Sequence, residues 1–280
     1  MILLFNIGGR TGNQLFQVAY AQSRRKRNEW LISVGFGETR SILEGPCMNR
    51  WLNIEGRFFR GVMESVVQPV LYRTLVRTGL VASDYENLDT WEIRSGRIGC
   101  LRVMKGYFQS SERQAPDLPR RMRLKRSIRL QAHAVFKSIP EGKAPVFVHL
   151  RRSDKASVQM EGRPTQIPDQ FYLSAIEKLR RRHSDIFFIV LGDDPDYAER
   201  LFRDVNPKYI SRLSVQGDLA LMSMCEGGVL SNSTLAWWGA FFSPSGIGYI
   251  APKYWAGWNV GKWRPPELHG QFVVEYLDLS

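Results

Sequence analysis

Short apolar runs alternate with helical patterns through the second half of the chain, and this alternation restricts the fold more than any other feature. PVFVHL (145–150) reads as a strand, IPDQFYLSAIEKLRRR (167–182) as a helix with Asp169 in its first turn, and IFFIVLG (186–192) as a strand again. PDYAERLF, KYI (208–210), GDLALMSMCE, GGVLS (227–231), STLAWWGAFFS and IGYIAP (247–252) continue as helix, strand, helix, strand, helix and last strand. Strands separated by helical patterns of roughly 10–15 residues form βαβ units around a parallel sheet. The first half opens in the same way, with MILLFNI, a Gly-rich turn and a helix through QLFQVAYAQSRRKR, while residues 40–110 give no clear pattern. The basic stretch 111–140, with Pro116, Pro119 and Pro140, is the expected boundary region between two α/β domains, 1–135 and 136–280.

With 280 residues, 44% of them hydrophobic, the chain can fill two cores. No apolar stretch approaches the ~20 residues that span a bilayer. MILLFNI is too short for a signal segment and is expected to be the first strand of a cytoplasmic protein. Cys47, Cys100 and Cys225 are odd in number and far apart, which argues against a disulfide framework. The four histidines, at 133, 149, 183 and 269, show no metal-ligand spacing.

Charge is unevenly placed. Residues 1–140 hold 23 Lys and Arg against 11 Asp and Glu, whereas residues 141–280 hold 16 of each, so the net +12 belongs to the first half. The densest runs are RRKR (24–27) and RRMRLKRSIR (120–129). Such a patch attracts phosphates of nucleic acid or anionic lipid, or an acidic glycan, and the alternative is a solvated helix face. A nucleic-acid-binding protein is weakened as a reading by the lack of a recognised motif and by tryptophans gathered in the neutral half.

Four clusters follow strands and carry the candidate chemistry. HLRRSD (149–154) leaves the strand PVFVHL, where open α/β sheets place ligands; a solvated turn is the alternative. GGRTGNQLFQ (8–17) puts Gly8, Gly9 and Gly12 in a turn and presents the Asn13 and Gln14 amides at a helix start. SNSTLAWWGAFFS (231–243) sets Ser231, Asn232, Ser233 and Thr234 directly before a helix, more than one N-cap needs. Trp237 and Trp238 behind them read as core. In LGDDPDYAER (191–200), Asp194 and Asp196 suggest either a D-x-D metal site for a sugar nucleotide or helix capping around Pro195, with capping the better reading for Asp194. Asp218 in GDLALMS either caps its helix or accepts hydrogen bonds from a guanine edge. P-loop and dinucleotide motifs are absent.

GRTGNQLFQVAY, GYFQS (106–110), HLRRSD, LGDDPDYAE, GDLALMSMCEGGVLSNSTLAWWGAFF and APKYW together resemble the ordered motifs of α-1,2-fucosyltransferases, glycosyltransferase family 11. Thr11 departs from the usual Leu, and residues 40–105 diverge on the acceptor side. The resemblance implies a GT-B-like α/β fold, two Rossmann-like lobes with a cleft between them, the first for acceptor and the second for donor. It implies inverting transfer of fucose from GDP-fucose to a glycan hydroxyl, with O-2 of a terminal galactose the expected acceptor, and neither metal nor cofactor. Arg151 matches the essential arginine that meets charge on the β-phosphate, and Arg152 supports binding or structure. Asp154 orients Arg151 or takes the acceptor proton, and His149 lies beside the nucleotide. Ser233 and Thr234 face the phosphates, with Gly12, Asn232 and Asp194 among the binding residues and Asp218 near guanine. Asn13 and Gln14 face fucose and acceptor. The remaining partners expected are a lipid-linked or acidic glycan and an anionic membrane surface, met peripherally at the inner membrane. A metal-dependent transferase of other donor specificity, using Asp194 and Asp196, is the enzymatic alternative.

Overall fold

The computed structural model describes every residue except 45–49, 71–72, 75–77, 79–80, 97–100, 153–157, 245, 270–271 and 280, and the side chains of Arg57, Phe59, Arg60, Arg120 and Val274. The chain forms two compact units, Met1–Lys125 and Arg126–Ser280. The junction expected at 135/136 would cut a helix, Arg126–Lys137, that buries Ile128, Ala132 and Val135 and belongs wholly to the second unit. Pro116 lies in a turn and Pro119 in the first turn of a short helix before it, and Pro140 follows it.

The first unit runs β1 (Ile2–Phe5), α1 (Thr11–Arg24), β2 (Leu31–Val34), α2 (Gly37–Ile42) and β3 (Trp51–Ile54). A continuous helical segment follows, α3 (Arg57–Val62), a π-helical stretch Met63–Val67 and α4 (Gln68–Val70). It leads to β4 (Val81–Glu86), β5 (Ile93–Ser95), β6 (Leu101–Lys105) and the short α5 (Leu118–Arg121). The sheet order is β3-β2-β1-β6-β4-β5, parallel throughout except for β5, which pairs antiparallel with β4. Strand ILLF is buried at all four positions, as a strand covered on both faces must be. These pairings organise the stretch 40–110 that the sequence left without a pattern.

The second unit runs α6 (Arg126–Lys137), β7 (Ala144–Leu150), a small hairpin β8 (Gln159–Met160) and β9 (Arg163–Pro164), α7 (Asp169–Arg182), β10 (Ile186–Gly192) and α8 (Pro195–Leu201). It continues through β11 (Lys208–Ile210), α9 (Val215–Met222), β12 (Gly227–Val229), α10 (Thr234–Phe242), β13 (Gly248–Pro252) and β14 (Val273–Leu277). Its six-stranded parallel sheet has the order β11-β10-β7-β12-β13-β14. Helix α7 shows why the pattern is legible. Phe171, Tyr172, Ala175, Ile176 and Leu179 form one buried stripe, Asp169 sits in the first turn, and three arginines end the helix where its dipole favours cations. Helix α10 is apolar beyond its first residue and largely buried, and α9 buries Gly217 through Met222. IGYIAP is not the last strand, because VVEYL adds β14 at the edge beside it. Trp237 and Trp238 pack with Phe241 and Phe242, as core.

Candidate active site

Strand order decides where a ligand can enter the second unit. From β7 the chain moves outward to β10 and β11, then returns to β12 and proceeds the other way through β13 and β14. The loops leaving β7 and β12 therefore diverge at their carboxyl ends and open a crevice there. HLRR and SNST are those two loops. His149 and Ser231 join them, with Nδ1 2.8 Å from Oγ and both residues buried. Burial, helped by the nearby Arg151 and opposed by Asp193, lowers the His149 pKa to about 4. The imidazole is therefore neutral at pH 7 and forms the floor between the loops.

The two arginines take different paths. Arg151 is largely buried, and its Nε lies 3.2 Å from Oδ2 of Asp193. The other carboxylate oxygen, Oδ1, accepts the backbone N–H of Arg152 at 2.9 Å. Asp193 thus holds the side chain of one arginine and the main chain of the next. Arg152 turns toward α7 and α8. It donates to Asp169 at 2.9 Å and to the Tyr197 hydroxyl at 3.0 Å, and stacks over the Tyr197 ring at 4.3 Å. The Gln166 amide oxygen, turned toward the guanidinium, accepts from both Nη atoms at 2.7 and 3.0 Å. Arg152, expected to support binding or structure, ties the exit of β7 to the two helices.

Gly192 makes the Asp193 contact possible. It ends β10 opposite Leu150 with φ of +157°, and a Cβ there would fall 2.0 Å from the Leu150 carbonyl oxygen. Gly192→Ala is expected to destabilise the protein by about 1–3 kcal/mol from overpacking alone, with backbone strain in addition. A thermal melt that matches wild type would contradict this close approach.

The acidic run LGDDPD divides its tasks similarly. Asp194 is the N-cap of α8, accepting from Tyr197 N at 2.9 Å, and Asp196 pairs with Arg212 at 2.7 Å. Asp194, named as a binding residue, is occupied by capping, and the D-x-D pair points into two separate structural contacts. Among the described residues no group of three or more His, Cys, Asp and Glu could hold a metal ion.

Asp218 does not cap α9; Ser214 does, accepting from Gly217 N. Asp218 is buried and its Oδ1 accepts from the Ser211 hydroxyl at 2.5 Å. Burial raises its pKa to about 7, against the lowering effect of Ser211. The desolvated carboxyl group lies in the first turn of α9, tied to Ser211 just after β11. In SNST, Ser233 is the cap of α10 and accepts from Leu235 N. Asn232 donates to the Thr165 carbonyl at 2.7 Å, leaving its buried Oδ1 without a partner. Thr234 opens the helix. The four polar residues thus have four different roles.

In the first unit the Gly-rich turn follows β1 at the corresponding switch, where β1 neighbours β6. The turn is held from below by Asn6, whose Oδ1 accepts Gly8 N at 2.9 Å, and by Gln17, which donates to the Gly8 carbonyl at 3.3 Å. Gly12 lies buried in the first turn of α1. Asn13 is half-buried and its Oδ1 accepts from Gln109 of GYFQS at 2.9 Å. Gln14 is buried, and its Oε1 accepts from the Thr39 hydroxyl of α2 at 3.2 Å. Thr11, at the divergent position, donates to Glu38. Asp154 lies outside the described residues. Sequence reasoning missed Asp193, Gln109 and the Asn6–Gln17 support. Asp193 had a signal, being the first polar residue after an apolar strand and a glycine.

Comparison with known proteins extends this picture. The sequence model of glycosyl transferase family 11 matches residues 72–262. An alpha-1,2-colitosyltransferase of Escherichia coli is 24% identical over 273 residues, covering 91% of this chain and 92% of the relative. The O-antigen biosynthesis glycosyltransferase WbnK of Escherichia coli is 28% identical over 137 residues, 46% of this chain and 45% of that one. Among solved structures, the fucosyltransferase NodZ from Bradyrhizobium aligns with a TM-score of 0.54 at 12% identity, over 87% of this chain and 92% of NodZ. POFUT1 in complex with GDP aligns with a TM-score of 0.55 at 11% identity, over 89% and 97%. The structural likeness establishes an α/β fold of the GT-B-like kind, and with the sequence match over most of its length this chain belongs to glycosyl transferase family 11.

Proposed function

We propose that this protein is an inverting transferase that moves fucose from GDP-fucose to a glycan hydroxyl, with O-2 of a terminal galactose as the expected acceptor, and that it does so without metal or cofactor. The observation that carries the reading is Arg151, held by Asp193 at the switch point of a parallel sheet. In the reaction the bond from sugar C1 to the β-phosphate oxygen breaks as the acceptor oxygen attacks C1 from the opposite face. The acceptor proton passes to a base, and GDP leaves with an additional negative charge. A guanidinium never loses its proton and binds phosphate through a planar fork, so Arg151 meets that charge. Asp193 already orients Arg151, which leaves Asp154 as the proposed base. Asp218 accepts from the guanine edge, and Ser233 and Thr234 face the phosphates at the start of α10. Relatives support a GDP-sugar donor, since NodZ has been crystallised with GDP and soaked with GDP-fucose.

The colitosyltransferase similarity favours a second donor. Colitose is fucose without its 3-hydroxyl, so GDP-colitose presents the same nucleotide to the same residues. Melting temperature distinguishes donor classes. GDP, GDP-fucose and GDP-colitose are expected to raise it, whereas UDP and dTDP sugars are not. A ligand at a hundredfold excess over Kd stabilises the fold by about 2.7 kcal/mol. Equal shifts with UDP sugars would overturn the guanine assignment, and product linkage by NMR would then identify acceptor and sugar.

A further inference from the structure

The helical segment between β3 and β4 carries an exposed apolar line. An α-turn holds about 3.6 residues and a π-turn more, so a segment mixing the two averages near four residues per turn. Phe58, Val62, Val66 and Val70 recur at every fourth position and therefore form a straight row along Arg57–Val70. They are 77%, 38%, 55% and 54% exposed. The segment is docked by a different side, where Met63 packs on the core cluster that contains Leu3, Phe5 and Val103. Twelve large hydrophobic residues are exposed among the described ones, and a third of them lie in this row, so the exposure is concentrated rather than scattered.

We propose that this row docks the protein on the surface of an anionic bilayer. The charge of this part of the sequence suits that occupant. Residues 57–78 contain Arg57, Arg60, Arg73 and Arg77 against Glu64 alone, and the unit Met1–Lys125 holds 20 Lys and Arg against 11 Asp and Glu. A helix with an apolar edge in a unit of net positive charge lies in the headgroup region, apolar side inward. A second copy of the chain fits less well, since a stable dimer buries about 800 Å² per partner and four side chains in single file supply far less. No helix among the described residues is long and apolar enough to cross a membrane. The row places the membrane contact in the first unit at 57–70 rather than in the basic run 120–129. There Arg121 is engaged with Asp117 at 2.7 Å and with the Gln22 carbonyl at 2.8 Å. This membrane contact is the same whatever the donor or the acceptor.

Co-sedimentation with vesicles of phosphatidylcholine plus phosphatidylglycerol, and of phosphatidylcholine alone, tests it on the full chain. Wild type is expected to partition about tenfold more strongly onto the anionic vesicles. Val62→Asp with Val66→Asp is expected to lose about tenfold or more of that binding. The charge-matched control is Gly61→Asp with Ser65→Asp, two exposed positions on the same segment, with open space where the Gly61 Cβ would go. It should lose much less, because it subtracts the same charge and leaves the row intact. Phe58→Trp supplies an independent readout, a blue shift of fluorescence on anionic vesicles. All these positions are exposed, so circular dichroism should match wild type. Wild-type protein that fails to sediment, equal losses in the two paired variants, or an emission spectrum of the Phe58→Trp variant that vesicles leave unshifted would each overturn the proposal. So would a lipid-free sedimentation coefficient that falls in the Val62→Asp, Val66→Asp variant, which would make the row a contact between copies.

Discussion

Arg151→Lys is expected to leave the protein folded and able to bind GDP while removing most of the transferase activity. Lysine keeps the positive charge but loses the planar fork, so it cannot follow two phosphate oxygens as charge moves onto the leaving group. It also lacks the Nε that Asp193 holds at 3.2 Å, so the ammonium has no fixed root. Removing one donor to a developing oxyanion costs about 2.7–4 kcal/mol, a hundred- to thousandfold in rate. The loss should fall in kcat, with a smaller change in donor affinity, since the interaction strengthens only as the bond breaks. Arg152→Lys is expected to behave differently. Its contacts to Asp169, Tyr197 and Gln166 are structural, so the change should lower the melting temperature more than it lowers kcat. EDTA is expected to leave the wild-type rate unchanged. An Arg151→Lys enzyme with near-normal kcat, or a wild type that EDTA inactivates, would remove Arg151 from the catalytic role.

Affinity for GDP-fucose should rise with pH by up to about tenfold per unit until roughly pH 7 and then level off. The cause is Asp218, whose pKa is raised from 3.8 to about 7 by burial. Guanine offers N–H donors, and only the ionised carboxylate accepts from them at both oxygens, so binding below pH 7 must first expel a proton. GDP-fucose is the suitable probe because its phosphates stay ionised across this window. Stability without ligand should move in the opposite direction. Between about pH 4 and 7 the native state holds a proton that the unfolded chain has released, so stability falls as pH rises, by at most about 1.4 kcal/mol per unit. Below this window the contribution is fully present, and above it the contribution is gone. Asp218→Asn should flatten both profiles and bind GDP-fucose weakly at every pH. Isothermal titration at pH 5, 6, 7 and 8 reads the affinity directly. A wild-type profile as flat as that of Asp218→Asn would show that Asp218 does not meet the guanine.

How much of the site was legible depended on whether a residue's task was local. The N-cap of Asp194 follows from Asp before Pro at the start of a helical pattern, because capping involves only the next turn. Ser233 was visible among four polar candidates, but which of the four capped the helix depended on partners far along the chain. Ser231 is claimed by His149 and Asn232 by the Thr165 carbonyl. Gln14 shows the opposite case. Its place beside Asn13 at a helix start suggested a ligand, yet on α1 it is carried around to face α2, where Thr39 takes it. The stretch 40–110 was opaque because no helix separates β4, β5 and β6 among the described residues, and β5 turns back against β4. Such segments are stabilised by their neighbours in the sheet rather than by their own pattern.

By itself the sequence determined the alternation of strand and helix, the parallel sheet of the second unit and the polar loops at its strand ends. Periodicity and burial act along a few turns of chain, so residue order is enough to specify them. It also carried the family motifs, and with them the choice of Arg151. Tertiary structure decided what separates two adjacent arginines. β10 pairs with β7 in one register, and Gly192 lets the strands approach at their ends. That brings Asp193 under Arg151, while α7 and α8 draw Arg152 away. Those contacts join residues 17 to 45 positions apart in the chain, and no local pattern encodes which strand will lie beside which. The same holds for the protonation of Asp218, which is set by how completely the packed sheet and helices around it exclude water.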